Sequence, residues 1–134
     1  MTNILLVMHR KVAAEAYARA IQEYAGFSAY CEYDYADAAM TAKVRKADIT
    51  IIEVPESQGR QLAQYVEICA AIRRVRPESK FMLLCSERSR EGVQLAVAAM
   101  QSKEIDDYVF YDSTLDYFLS KLAVLSTGGT EDLE

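Results

Sequence analysis

Ile49-Thr50-Ile51-Ile52-Glu53-Val54-Pro55 is the stretch on which the fold turns. Its apolar, largely β-branched run is the pattern of a short strand buried on both faces. A carboxylate ends the run, and a proline, which has no N–H to give a sheet, stops it. Three further runs have the same character: residues 3–8 (Asn-Ile-Leu-Leu-Val-Met), 80–85 (Lys-Phe-Met-Leu-Leu-Cys) and 108–111 (Tyr-Val-Phe-Tyr). Each is followed by a polar turn and a segment of helical period. Strands alternating with helices predict a parallel sheet. In such a sheet the strands end on one side, so Glu53 is expected to share a rim with Met8, His9, Cys85, Ser86, Tyr111 and Asp112.

The intervening segments supply the other elements. Val12, Ala16, Ala20 and Tyr24, with the neighbouring row Ala13, Tyr17 and Ile21, predict an apolar helix face over residues 11–25. Gly26 is placed to end that helix. Residues 27–33 alternate and are aromatic, which predicts a strand. A short helix over about residues 38–46 follows, with Asp34 and Asp37 as available caps. Gly59 or a neighbour opens a third helix to about residue 76, with Leu62, Val66, Cys69, Ile72 and Val75 inward and Pro77 closing it. Ser89 caps a fourth helix over about residues 90–102, with Val93, Val97 and Met100 inward. Ser113 and Asp116 resemble a capping box. They open a fifth helix whose face is Leu115, Phe118, Leu119, Leu122 and Leu125. The expected fold class is α/β: a (βα)5 doubly wound parallel sheet in the order 2-1-3-4-5. Residues 1–125 form one domain, and the polar residues 126–134 form a flexible tail or the start of a linker.

Composition narrows the function. The chain has 134 residues, of which 51% are apolar, enough for one sizeable core. A net charge of -5 argues against a nucleic-acid surface, which needs clustered Lys and Arg. No run approaches the roughly 20 apolar residues of a membrane span. A strand entered by residue 3 leaves no room for a signal peptide. Cys31, Cys69 and Cys85 are odd in number and apolar in setting, which predicts reduced core thiols in a cytoplasmic protein. No glycine-rich phosphate loop follows the first strand.

With these elements in place, residues 3–125 resemble a response-regulator receiver domain of bacterial two-component signalling, a CheY-like, flavodoxin-like architecture. Ile4-Leu5-Leu6-Val7 matches the family's first strand. Pro55 and Gly59 match the loop into helix three. Residues 69–84 are close to its helix three and strand four, and Asp106-Asp107-Tyr108 to its approach to strand five. The resemblance implies that Glu53 stands at the phosphoacceptor position and Tyr108 at the switch-aromatic position.

The reactive groups depart from the family. Met8 and His9, with Arg10 next, stand where it has the acidic pair that holds Mg²⁺. Glu53 replaces its Asp, and Tyr111 its lysine. Cys85, or Ser86 one step on, stands at its Thr or Ser. Mg²⁺ prefers hard oxygen ligands in octahedral geometry. A thioether, an imidazole and a guanidinium make a poor substitute, so no metal or cofactor and no enzymatic activity are expected. Glu53 has two compatible readings. In one it partly imitates a phosphorylated Asp, although a carboxylate carries only one charge where a phosphoryl group adds about -1.5 to -2. In the other it is a strand-end carboxylate satisfied by His9, Arg10 or a backbone N–H.

His9 is the sole histidine, and as a general base it needs an orienting partner. Cys85 reads as a packed thiol more than a reactive one. Tyr30, Tyr33 and Tyr35 suit either an edge strand or a protein contact. Arg73, Arg74, Arg76 and Lys80 suit a solvated helix C-terminus. The expected function is therefore a degenerate receiver-like signalling domain acting by protein–protein contact, independent of Asp phosphorylation. Its partner is another signalling protein bound through helix 4, strand 5 and helix 5, or a second copy in a homodimer, with no nucleic acid or membrane. The alternatives are a small-molecule or anion sensor using His9, Arg10, Ser86 and Tyr111, or the regulatory domain of a longer transcription regulator.

Overall fold

The stretch around Glu53 forms the middle strand of five. The computed structural model describes residues 1–55 and 63–127. Gly59 and Leu62 of the expected third helix, and residues 128–134 of the expected tail, lie outside the described residues. The strands are β1 (Thr2–Val7), β2 (Phe27–Glu32), β3 (Ile49–Glu53), β4 (Lys80–Cys85) and β5 (Asp107–Phe110). The helices are α1 (Lys11–Gln22), α2 (Ala38–Arg45), α3 (Ala63–Val75), α4 (Arg90–Gln101) and α5 (Leu115–Ser126). A 3-10 turn at Tyr35–Asp37 precedes α2. Every pairing is parallel and the order is β2-β1-β3-β4-β5, as the element order predicts. Val7 lies opposite Ile52, Glu53 opposite Leu84, and Cys85 opposite Phe110. This register sets the strand ends side by side.

Alternation along the strands makes two cores. Ile4, Leu6, Met8, Ile49, Ile51, Met82 and Leu84 face α1 and α5, packing on Ile21, Phe118 and Leu122. Leu5, Val7, Ile52, Val54, Leu83 and Cys85 face the other helices, packing on Ala42, Cys69, Ile72 and Ala96. A sheet covered on both faces favours apolar side chains along each strand, which explains the long apolar runs.

The faces of α3 and α5 are buried at the expected Cys69, Ile72, Phe118, Leu122 and Leu125, while α1 and α4 follow the periodicity only in part. On α1 the expected row Ala13, Tyr17 and Ile21 packs on the core together with Ala14, while the other expected row turns outward, Val12 being 83% exposed. Alanines lie all around this helix, so spacing alone does not choose the buried row. On α4 the buried residues are Gly92, Ala96 and Ala99, and Val97 is exposed. The helix sits close on the sheet through its small residues, Met100 packs on the core as expected, Val93 is half-buried and Val97 is turned away. Tyr65 joins the buried face of α3, whereas Val75 is exposed. Leu115 of α5 is exposed as well.

The termini also differ in detail. Ser89 caps α4 as expected, accepting from Gly92 N–H. The cap of α5 is Thr114, one residue beyond the expected Ser113, and it accepts from Tyr117 N–H. Asp34 accepts from Ala36 N–H, whereas Asp37 makes no capping bond. α1 ends at Gln22 ahead of Gly26. Gly26, at φ +91°, serves the turn into β2, where its carbonyl accepts from Thr2 N–H at 2.8 Å. Ser126, expected in the tail, is the last residue of α5.

Candidate functional site

Glu53 is fully buried. Its side chain leaves the end of β3 on the α1–α5 side of the sheet, and a carboxylate there must find donors or lose its charge. The β1–α1 turn supplies most of them. His9 N–H donates to Oε1 at 3.0 Å, and Arg10 N–H lies 3.5 Å from the same oxygen. His9 Nδ1 is 3.1 Å from Oε1. Arg10 Nε donates to Oε2 in a close ion pair. The turn after β5 adds Tyr111, whose hydroxyl is 3.1 Å from both Oε2 and the carbonyl of Val54. The Arg10 guanidinium also lies over the Tyr111 ring, 4.4 Å from its centre.

A fourth strand end joins through a residue whose place in the site the sequence reading missed. Tyr35, in the turn after β2, donates its hydroxyl to the Glu53 carbonyl at 2.6 Å. Its ring meets Tyr65 edge-on at 5.6 Å. Among the cluster of tyrosines, Tyr30 lies under Arg45 and Tyr33 under Lys11. The only sequence signal marking Tyr35 is its place just after a strand, within reach of the rim.

Glu53, His9, Arg10 and Tyr111 therefore come together, and the other expected rim residues do not. Met8 is buried among the core residues beneath α1 and α5. Cys85 is buried on the opposite face. Ser86 Oγ accepts from Arg88 N–H and so shapes the β4–α4 turn. Tyr108 is half-buried against Phe110, with ring centres 5.7 Å apart. Of the arginines expected at a solvated helix end, Arg74 is exposed, while Arg73 and Arg76 also bond to neighbouring loops. Arg73 reaches Glu104 O, while Arg76 reaches Lys46 O, Ala47 O and Asp48.

Burial and charge shift the groups around Glu53 in one direction. Tyr111 and Tyr35 are raised well above the usual phenol range, first by burial and then by the Glu53 charge. Burial lowers the affinity of Arg10 for its proton, but the hydrogen bond and charge of Glu53 outweigh it, and the net shift is upward. Burial also pushes the Cys85 thiol up to about 12. It is a neutral, packed thiol at physiological pH.

No family model and no curated protein matches the chain. Solved structures do. A response regulator from Thermotoga maritima is similar with a TM-score of 0.72 at 19% identity, over 92% of this chain and 95% of that one. A CheY-like response regulator receiver domain protein from Methanospirillum hungatei JF-1 gives 0.70 at 14%, over 92% and 91%. A LuxR-family DNA-binding response regulator from Staphylococcus aureus gives 0.71 at 15%, over 92% and 97%. The chain has the receiver fold.

Receiver domains imply a divalent cation beside the β3 carboxylate, but the residues present do not fit one. Both oxygens of Glu53 already accept from donors, and one faces a guanidinium. The thioether of Met8 is a soft ligand and sits in the core. Among the described residues no three of His, Cys, Asp and Glu gather in a metal-holding group. Nor is any helix of the described residues long and apolar enough to cross a membrane.

Proposed function

We propose that this is a signalling domain of receiver type that works by protein–protein contact without phosphorylation of the β3 carboxylate. One observation carries the reading: Glu53 is fully buried, with both oxygens engaged by His9, Arg10 and Tyr111. An attacking carboxylate needs a free oxygen, an approach for the phosphoryl donor and a metal to neutralise its charge. Here a guanidinium and a phenol stand in the approach. The likeness to response regulators supports the signalling part of the proposal. The partner is another signalling protein, received on α4, β5 and α5, with Tyr108 on that face; a homodimer through the same elements is the second form.

Beryllofluoride with Mg²⁺, followed by amide NMR shifts, tests the proposal. The expected result is no saturable change near Glu53. Specific, saturating shifts at His9, Glu53 and Tyr111 would sink it. The anion-sensing alternative draws on His9, Arg10, Ser86 and Tyr111, of which His9, Arg10 and Tyr111 contact Glu53. A thermal-shift screen with phosphorylated metabolites separates it, because only a sensor gains stability from its ligand. The transcription-regulator alternative draws on the likeness to a DNA-binding response regulator.

A further inference from the structure

We propose that Arg10 is the built-in cation of this site, and that with Tyr111 it forms an internal latch that fixes the β1–α1 and β5–α5 turns to the end of β3. This deepens the reading of Glu53 as an unphosphorylated carboxylate and rests on it. Three contacts close a triangle. Arg10 Nε pairs with Oε2, its guanidinium lies 4.4 Å from the centre of the Tyr111 ring, and the Tyr111 hydroxyl is 3.1 Å from the same Oε2. The Arg10 side chain is 45% exposed whereas that of Glu53 is 0% exposed, so arginine enters from the solvent side and covers the carboxylate. A flat, delocalised cation suits this place, because it can stack on an aromatic face and bond a carboxylate at its edge together. Lysine's compact ammonium has no flat face with which to stack on the ring while bonding the carboxylate.

A dissociable metal ion would make the spacing of the two turns depend on its concentration. A covalently attached guanidinium, kept protonated by the carboxylate it faces, makes that spacing a constant of the fold. The Val54 carbonyl, also 3.1 Å from the Tyr111 hydroxyl, ties the same phenol to the chain just after β3. The latch thus joins segments that are 43 and 58 residues from Glu53 in sequence.

The test combines chemical rescue with direct observation of the guanidinium. In the unaltered chain the Arg10 Nε–H should give a slowly exchanging NMR signal that Glu53→Gln abolishes. Arg10→Ala should lower Tm by several degrees. Millimolar methylguanidinium, compared with potassium at equal ionic strength, should restore part of that loss. It should leave the unaltered chain and the Arg10→Ala/Glu53→Gln double variant unchanged. Arg10→Lys should recover little, since it keeps the charge and loses the stacking. A rapidly exchanging Nε–H, an Arg10→Ala variant that melts with the parent, or equal rescue of the double variant would overturn the latch. If Arg10→Ala does not fold, the Nε–H signal and the Arg10→Lys melt still decide. The two ideas fail separately. Saturable beryllofluoride shifts end the reading of an unphosphorylated site, while a free Arg10 without any beryllofluoride response ends the latch alone.

Discussion

Glu53 shows how one buried charge organises its surroundings. Its side-chain partners come from the turns after β1 and β5, and its carbonyl takes Tyr35 from the turn after β2. Losing one donor strands an acceptor out of reach of water, which costs about 1–3 kcal/mol. Tyr35→Phe should therefore cost about 1–2 kcal/mol in urea unfolding, because the Glu53 carbonyl loses the hydroxyl 2.6 Å away. Tyr30→Phe should cost less than about 0.5 kcal/mol, since the ring that Arg45 covers is kept. Equal losses would mean that the Tyr35 hydroxyl is not a structural donor. At this site the sequence showed the carboxylate and two candidate partners, His9 and Arg10. It did not show Tyr35, because a hydroxyl's target is set by which loop lies opposite.

Helix boundaries were legible where the signal is local. Ser89 begins α4 as read, since an N-cap needs only its own side chain and the N–H a turn ahead. At α5 two hydroxyls compete, and Thr114 takes the cap. Thr114→Ala should cost about 1 kcal/mol, and Ser113→Ala a few tenths. The reverse order in a thermal or urea melt would restore the capping-box reading. Gly26 offers a second check. A Cβ there meets nothing within 4 Å, yet its φ is +91°. Gly26→Ala should therefore destabilise by about 1 kcal/mol through backbone strain alone. A neutral result would show that the turn relaxes. Helix phase was the weaker inference. α1 and α4 carry alanine and valine on several sides, and contact with the sheet selects the smaller residues of α4 for close approach. A face rich in small residues looks less apolar than the valines beside it, although it buries more completely.

The whole molecule responds to alkali through its buried neutral acids. Burial pushes Cys69 and Cys85 from an ordinary 9.0 up to about 12, and raises Tyr35 and Tyr111. Above pH 9 the unfolded chain has lost these thiol protons while the folded chain keeps them. The unfolded state then binds fewer protons, and stability falls as pH rises. The stabilisation is complete below about pH 9 and is lost progressively toward pH 12. The urea midpoint should stay level from pH 7 to 8 in these groups' contribution and then decline. Cys69→Ala should flatten that decline even if it lowers stability overall. A midpoint that rises above pH 9 would contradict the burial of both thiols.

The sequence by itself determined the succession of strands and helices, the parallel sheet in its order, and the carboxylate at the end of the middle strand. These follow from local causes: apolar runs of strand length, helical period, capping residues, and the right-handed connection that each β-α-β unit prefers. The choice between the two apolar rows of α1, the buried face of α4, the cap of α5, and which side chains reach Glu53, Tyr35 among them, were decided only by tertiary structure. Arg10, Tyr35 and Tyr111 lie 43, 18 and 58 residues from Glu53 along the chain. No periodicity carries information over such distances. The sheet register brings these turns to one rim, and the cost of leaving a buried carboxylate unpaired then selects, among the side chains that reach it, those able to donate.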